Sequence, residues 1–224
     1  MSMARSSILV RSLLAATVGI AFGFSALSAH AQQTPAVVHD TSALKVPAGY
    51  KIAIVEFEDL ECPMCGHENP ILKEAAAQYH AAWVRHDFPL PMHAWSFQAA
   101  VYARWFDTKS QKYGDEYRDA VFANQINIET KSDLQAATEK FAKDRGLELP
   151  FAIDPQGKLE AEVKADGALG ERMGVHETPT VWIVTDKSSY GTPNYQQVLD
   201  FNKLYSMLDE AQAATAGSGP HAKK

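Results

Sequence analysis

The run Ile52-Ala53-Ile54-Val55-Glu56-Phe57, followed shortly by Cys62-Pro63-Met64-Cys65 and then by a helix-forming stretch from Glu68 to Ala82, decides how this chain reads. The first segment is apolar and β-branched, as a buried strand is. A Cys-x-x-Cys pair between a strand and a helix places the first sulfur at a helix N-terminus. There, unpaired N–H groups and the helix dipole favour a thiolate over a thiol. Cys62 and Cys65 are also the only two cysteines of the 224 residues, so any thiol chemistry is located here.

Three chemistries use such a pair. A disulfide scaffold carries several spaced cysteine pairs, and a bridge closing so short a loop constrains the unfolded chain little. A zinc or copper site needs further ligands, and neither a second Cys-x-x-Cys nor a His-x3–5-His is present, although His67 and His176 are candidates. Thiol–disulfide exchange needs only the two sulfurs, and it is the favoured reading.

Upstream, Arg5 and Arg11 precede the apolar run Leu13 to Leu27, and Ala29-His30-Ala31 fits a cleavage site. Residues 1–31 therefore read as a secretory signal peptide, which implies a periplasmic protein in a setting where disulfides persist. Without Arg5 and Arg11, 19 of the 21 basic residues remain against 27 acidic ones. This acidic balance argues against nucleic acid and anionic lipid as partners, because both are recognised by clustered Lys and Arg.

Beyond a leader over 32–48, the expected domain spans 49–213, with a tail over 214–224 whose small, polar composition suits disorder. Trp83 to Phe88 alternates and ends at Pro89 and Pro91, which predicts a second strand parallel to the first through a βαβ unit. Residues 94–174 read as a helical insertion. Phe97, Val101 and Trp105 share one face, as do Tyr113, Tyr117 and Val121. A capping box is expected at Ser132 to Gln135, a helix end at Gly146, and a helix start at Asp154-Pro155. The sheet then resumes with Thr180 to Thr185 and a hairpin partner at Tyr195 to Leu199. A final helix follows, capped by Asp200 and carrying Phe201, Leu204, Tyr205 and Leu208. Trp95, Trp105 and Trp182 are expected in the core.

Other residues bear on the pair. Glu56 lies in an apolar strand, and two positions fit it: beneath the cysteines with a raised pKa, or on the solvent face of an edge strand. Thr178-Pro179 precedes the third strand and is a candidate cis bond. Glu58, Asp59 and Glu61, with His176 and Glu177, are expected to be solvated loop charges, and His93 a packed or solvated histidine.

The segments Val55-Glu56-Phe57…Cys62-Pro63-Met64-Cys65 and Thr178-Pro179-Thr180 resemble the thioredoxin superfamily, and more narrowly its exported DsbA-like thiol:disulfide oxidoreductases. The resemblance implies an α/β thioredoxin fold, a mixed central sheet flanked by helices, with the all-helical insertion. It makes Cys62 an exposed nucleophile, Cys65 its buried resolving partner, Glu56 a buried proton-relaying acid, and Pro70 a helix-kinking proline. Thr178, Pro179, Pro63 and Met64 would contact a substrate peptide. It implies a monomer that oxidises cysteine pairs of exported proteins, a membrane redox partner that reoxidises it, and no organic or metal cofactor. A reductase or isomerase shares these motifs, and Met64 stands where the strongest oxidants of the family carry histidine. A copper- or zinc-binding carrier of the same fold is the remaining alternative.

Overall fold

The structure is a computed structural model that describes residues 35–187 and 193–216. The expected signal peptide, most of the expected tail and part of the turn before the last strand lie outside the described residues. The first strand, β1 (Ile52–Glu58), is buried along its whole length. It pairs in parallel with β2 (Ala82–Asp87) and antiparallel with β3 (Thr180–Thr185), which pairs antiparallel with β4 (Tyr195–Gln197). The order β2-β1-β3-β4 makes β1 an inner strand covered on both faces, which explains why apolar residues occupy both of its faces and why its two glutamates, Glu56 and Glu58, are buried.

Alternation along β1 feeds two cores. Ile52 and Ile54 pack with Leu72, Leu204 and Leu208, whereas Ala53, Val55 and Phe57 pack with Met173, Trp182 and Val184. The first core is closed by helices α1 (Pro63–Tyr79) and α6 (Leu204–Ala216). The leader packs on the second: Leu44 is buried there, and Val37 O lies where a side chain on Gly174 would have to go. Gly174 also has φ 77, so both its backbone and its lack of Cβ are needed at this crossing.

The expected helical insertion comprises α2 (Ser96–Asp107), α3 (Gln111–Asn124), a 3-10 turn (Gln125–Asn127), α4 (Lys131–Lys143) and α5 (Lys158–Arg172). Its aromatic centre joins Phe106, Tyr117 and Phe141, with ring centroids 4.6–5.2 Å apart. The same apolar cluster includes Leu60, Cys62 and Cys65, so the insertion is packed directly against the dithiol. Trp95, Trp105 and Trp182 are all buried.

Several local expectations shift. The active-site helix starts at Pro63 rather than Glu68, because Pro63 occupies the first helical position and Cys62 caps it. The capping box falls at Thr130 and Asp133, where side chain and backbone bond reciprocally, and Ser132 lies inside the first turn. Asp154 is not an N-cap. A turn ending at Gly157 (φ 67) intervenes, and the Asp154 carboxylate reaches forward to accept from Lys158 N and Glu160 N, both at 2.9 Å. Asp200 caps a 3-10 turn, Phe201–Lys203, that leads into α6. The last helix continues to Ala216, so 214–216 are helical rather than part of a tail.

Candidate active site

Cys62 has extended backbone (φ −72, ψ 121) and its carbonyl accepts from Gly66 N at 3.1 Å, the first turn of α1. Its sulfur therefore sits at the N-terminus of a 17-residue helix. Opposite, the Thr178–Pro179 peptide bond is cis and turns the Thr178 carbonyl toward the pair. The Cys62 thiol donates to that carbonyl across 3.3 Å. Both cysteines are free thiols.

The resemblance implies an exposed Cys62, and the structure differs. Cys62 is only 7 % exposed, because the 178–179 loop and the insertion close over it. Pro63 and Met64 are exposed beside it, Met64 at 45 %. Cys65 is fully buried and accepts from Asp59 N at 3.4 Å.

The two thiols are driven apart in acidity. Cys62 is lowered from 9.0 to about 6, first by the hydrogen bond from the Cys65 thiol, with Thr178 and the N–H groups of Cys65 and Met64 adding to it against the cost of burial. The Thr178 hydroxyl has no partner while Cys62 is a thiol, which leaves it available to donate to the thiolate. Burial pushes Cys65 well up, and its bond to Cys62 and the nearby charges of Cys62 and Glu56 act in the same sense. At neutral pH the pair is thus a Cys62 thiolate beside a Cys65 thiol.

Glu56 is 1 % exposed on an inner strand, which excludes the solvent-facing reading. Its Oε2 accepts from the Trp83 indole at 2.8 Å. Burial and the neighbouring Glu58 raise its pKa to about 8, with Arg85 and the Trp83 bond opposing. It is therefore a protonated acid at neutral pH, and it lies close enough that, once ionised, its charge acts on Cys65.

The expectation of solvated loop carboxylates is overturned. Glu58 and Asp59 are each 1 % exposed. Glu58 is held by Arg85, with Nη2 at 2.6 Å, and by Arg118 Nε at 3.2 Å. Arg118 also bonds Asp107 through Nη1 and Nη2, at 3.0 and 2.9 Å. Asp59 accepts from Glu61 N and Leu90 N and pairs with His93 Nδ1 at 2.7 Å, so His93 is bound rather than loose. Glu61 accepts from Trp95 N and Ser96 N at the start of α2. These carboxylates tie the loop before Cys62 to the sheet and the insertion, because buried charge is tolerated only when it is paired. Of the remaining expected charges, His176 is exposed and its ring bonds Gly174 O, and the Glu177 carbonyl accepts from Thr180 Oγ1.

Sequence reasoning missed Trp83, Arg85, Arg118 and Gln125. The alternation of β2 puts Trp83 and Arg85 on one face, and two acids at the same spacing in β1 were an available signal for that pairing. Arg118 and Gln125 lie in the insertion, with no local mark of their partners. Among the described residues no group of three or more His, Cys, Asp or Glu stands ready to hold a metal ion.

A mixed four-stranded sheet with a Cys-x-x-Cys at the N-terminus of its first helix, facing a cis-proline loop, defines a thioredoxin-fold dithiol protein. The chain belongs to the thioredoxin family, whose model matches residues 51–201. No curated protein matches it by sequence. Among solved structures it is similar to Wolbachia pipientis alpha-DsbA1, with a TM-score of 0.62 and 18% identity over 78% of this chain and 92% of that one. It is similar to Pseudomonas aeruginosa DsbA2, with a TM-score of 0.52 and 23% identity over 80% and 96%. A periplasmic thioredoxin-like protein from Salmonella enterica serovar Typhimurium matches with a TM-score of 0.56 and 17% identity over 75% and 88%. These likenesses establish the shared fold, a thioredoxin fold with a helical insertion.

Proposed function

We propose that this protein is a thiol:disulfide oxidoreductase that oxidises cysteine pairs in exported polypeptides through a Cys62–Cys65 disulfide. The observation that carries this reading is the opposed acidity of the two thiols, Cys62 lowered to about 6 and Cys65 raised by burial. In the oxidising direction a substrate thiolate attacks Cys62 Sγ, and the Cys62–Cys65 bond breaks. Cys65 leaves as a thiolate and takes a proton, for which Glu56, protonated at neutral pH, is the nearby acid. A second substrate thiolate then attacks the mixed disulfide, and Cys62 leaves. The electron pair passes from the two substrate thiols to the dithiol, so the step requires no organic or metal cofactor.

Stabilising the Cys62 thiolate stabilises the reduced protein, and this favours the oxidising direction over reduction or isomerisation. A pKa of about 6 lies between those of thioredoxin, roughly 7, and DsbA, roughly 3.5. The reduction potential is correspondingly expected between roughly −270 and −120 mV. The cis Thr178 carbonyl and the exposed Pro63 and Met64 offer a backbone acceptor and an apolar rim for a substrate strand. The apolar N-terminal segment with its cleavage-like Ala29-His30-Ala31 supports a periplasmic site of action. Among the described residues no helix is long and apolar enough to cross a membrane. Reoxidation then falls to a separate membrane redox partner, with the protein itself acting as a monomer.

The test is oxidation of a reduced, unfolded protein by the oxidised form, together with equilibration against glutathione. Oxidation that is lost in Cys62→Ser, with a potential above thioredoxin's, is expected. A potential at or below roughly −270 mV would sink the oxidase reading in favour of a reductase.

A further inference from the structure

Gln125 opens the 3-10 turn after α3, and its side chain crosses to the loop that carries Cys62. Its Nε2 donates to the Leu60 carbonyl at 2.8 Å and to the Cys62 carbonyl at 3.0 Å. The Cys62 carbonyl is the one that also accepts the first bond of α1, from Gly66 N. The other end of the same amide, Oε1, rests against Gly66. A Cβ at Gly66 would stand 2.5 Å from it, closer than real Cβ contacts allow. The glycine after the second cysteine is therefore what lets the amide reach both carbonyls.

We propose that Gln125 is a positioning residue for the Cys62 nucleophile, clamping the helix-capping carbonyl from the insertion so that the sulfur stays over the first turn of α1. This rests on the exchange reading above. The N–H groups of Met64 and Cys65 favour the thiolate only while the sulfur stays beside them, and rotation of the Cys62 backbone would carry it away. The donated Nε2–H also draws charge from a carbonyl oxygen of the same residue that bears the thiolate. Both effects depend on a side chain that touches neither sulfur.

The measurement is the pH dependence of Cys62 alkylation by iodoacetamide in the reduced protein, for wild type, Gln125→Met, Gly66→Ala and the double variant. It needs no disulfide substrate, so loss of exchange activity in the wild type remains a separate result. Each single variant is expected to raise the Cys62 pKa by about half a unit, about threefold in the thiolate-to-thiol ratio. The equilibrium with glutathione should shift by about the same factor, about 15 mV toward reducing. The double variant should match the singles, because Gly66→Ala acts by displacing the flexible end of Gln125. Alanine favours a helix over glycine, so Gly66→Ala keeps the test valid even where Gln125→Met folds poorly. A wild-type alkylation profile in either single variant, or shifts that add in the double, would overturn the proposal.

Discussion

Replacing Cys62 with serine removes a titrating thiol while leaving the fold's packing nearly unchanged, and its effect on stability should depend on pH in a calculable way. The Cys62 pKa falls from 9.0 to about 6 on folding. An acid whose folded pKa is depressed contributes stability that is fully present above the unfolded value and lost as pH falls through the folded one. At about 1.4 kcal/mol per unit, the thiolate contributes about 1.4 kcal/mol at pH 7, one unit above its folded pKa. The contribution grows by between about 2 and 3 kcal/mol from pH 5 to pH 8. Urea denaturation of reduced wild type and reduced Cys62→Ser at pH 5, 7 and 8 measures it. Glu56 titrates in the same window in both proteins, so its own effect largely cancels in the difference. The gap between the two proteins should widen with pH in favour of the wild type. A gap that stays flat within about 0.5 kcal/mol, or narrows, would refute the argument that the helix terminus and Cys65 hold Cys62 as a thiolate. The same free energy at pH 7 makes the disulfide about 30 mV more oxidising than an unshifted thiol would.

Glu56 shows the opposite linkage. Its folded pKa is raised from 4.5 to about 8, so the stability of the protonated acid is present below 4.5 and is lost as pH rises through 8. Glu56→Gln should therefore be more stable than wild type by on the order of 3 kcal/mol at pH 7 and equal to it near pH 4. In stopped-flow assays it should also release Cys65 more slowly, and equal stability at both pH values would count against a buried neutral acid. Arg118→Met strips the guanidinium from buried Glu58 and from Asp107, and should cost about 3–5 kcal/mol in denaturant melts. A loss under about 1 kcal/mol would mean that the pair is dispensable. Thr178→Val should raise the Cys62 pKa by about half a unit, read from thiolate absorbance near 240 nm, while leaving the melting temperature at pH 5, where Cys62 is a thiol, in place. The hydroxyl it removes has no partner to lose in the thiol state, and an unchanged Cys62 pKa would exclude its donation to the thiolate.

The strands were legible because their signals are local. The apolar run of β1 and the alternation of β2 follow from which faces are covered, and both were recoverable from residue order alone. Cap positions were less so: the Thr130–Asp133 box and the forward reach of Asp154 depend on turn geometry that several neighbouring residues fit equally well. The charges beside the dithiol were misread for a different reason. Glu58, Asp59 and Glu61 look like loop charges until Arg85, Arg118, His93 and the start of α2 are brought against them.

By itself the sequence determined the dithiol, its place at the start of a helix, the cis-proline candidate and the helical insertion, since each is encoded in short motifs or in an apolar periodicity local to one element. Only the tertiary structure decided that Cys62 is nearly covered, that Glu56 is an inner-strand acid bonded to Trp83, and that Gln125 holds the reactive loop. Cys62 and Gln125 are 63 residues apart and Cys62 and Thr178 are 116 apart. No periodicity or propensity couples residues at such separations. They meet because burying the faces of the sheet and the insertion leaves their polar groups one place in which to find partners.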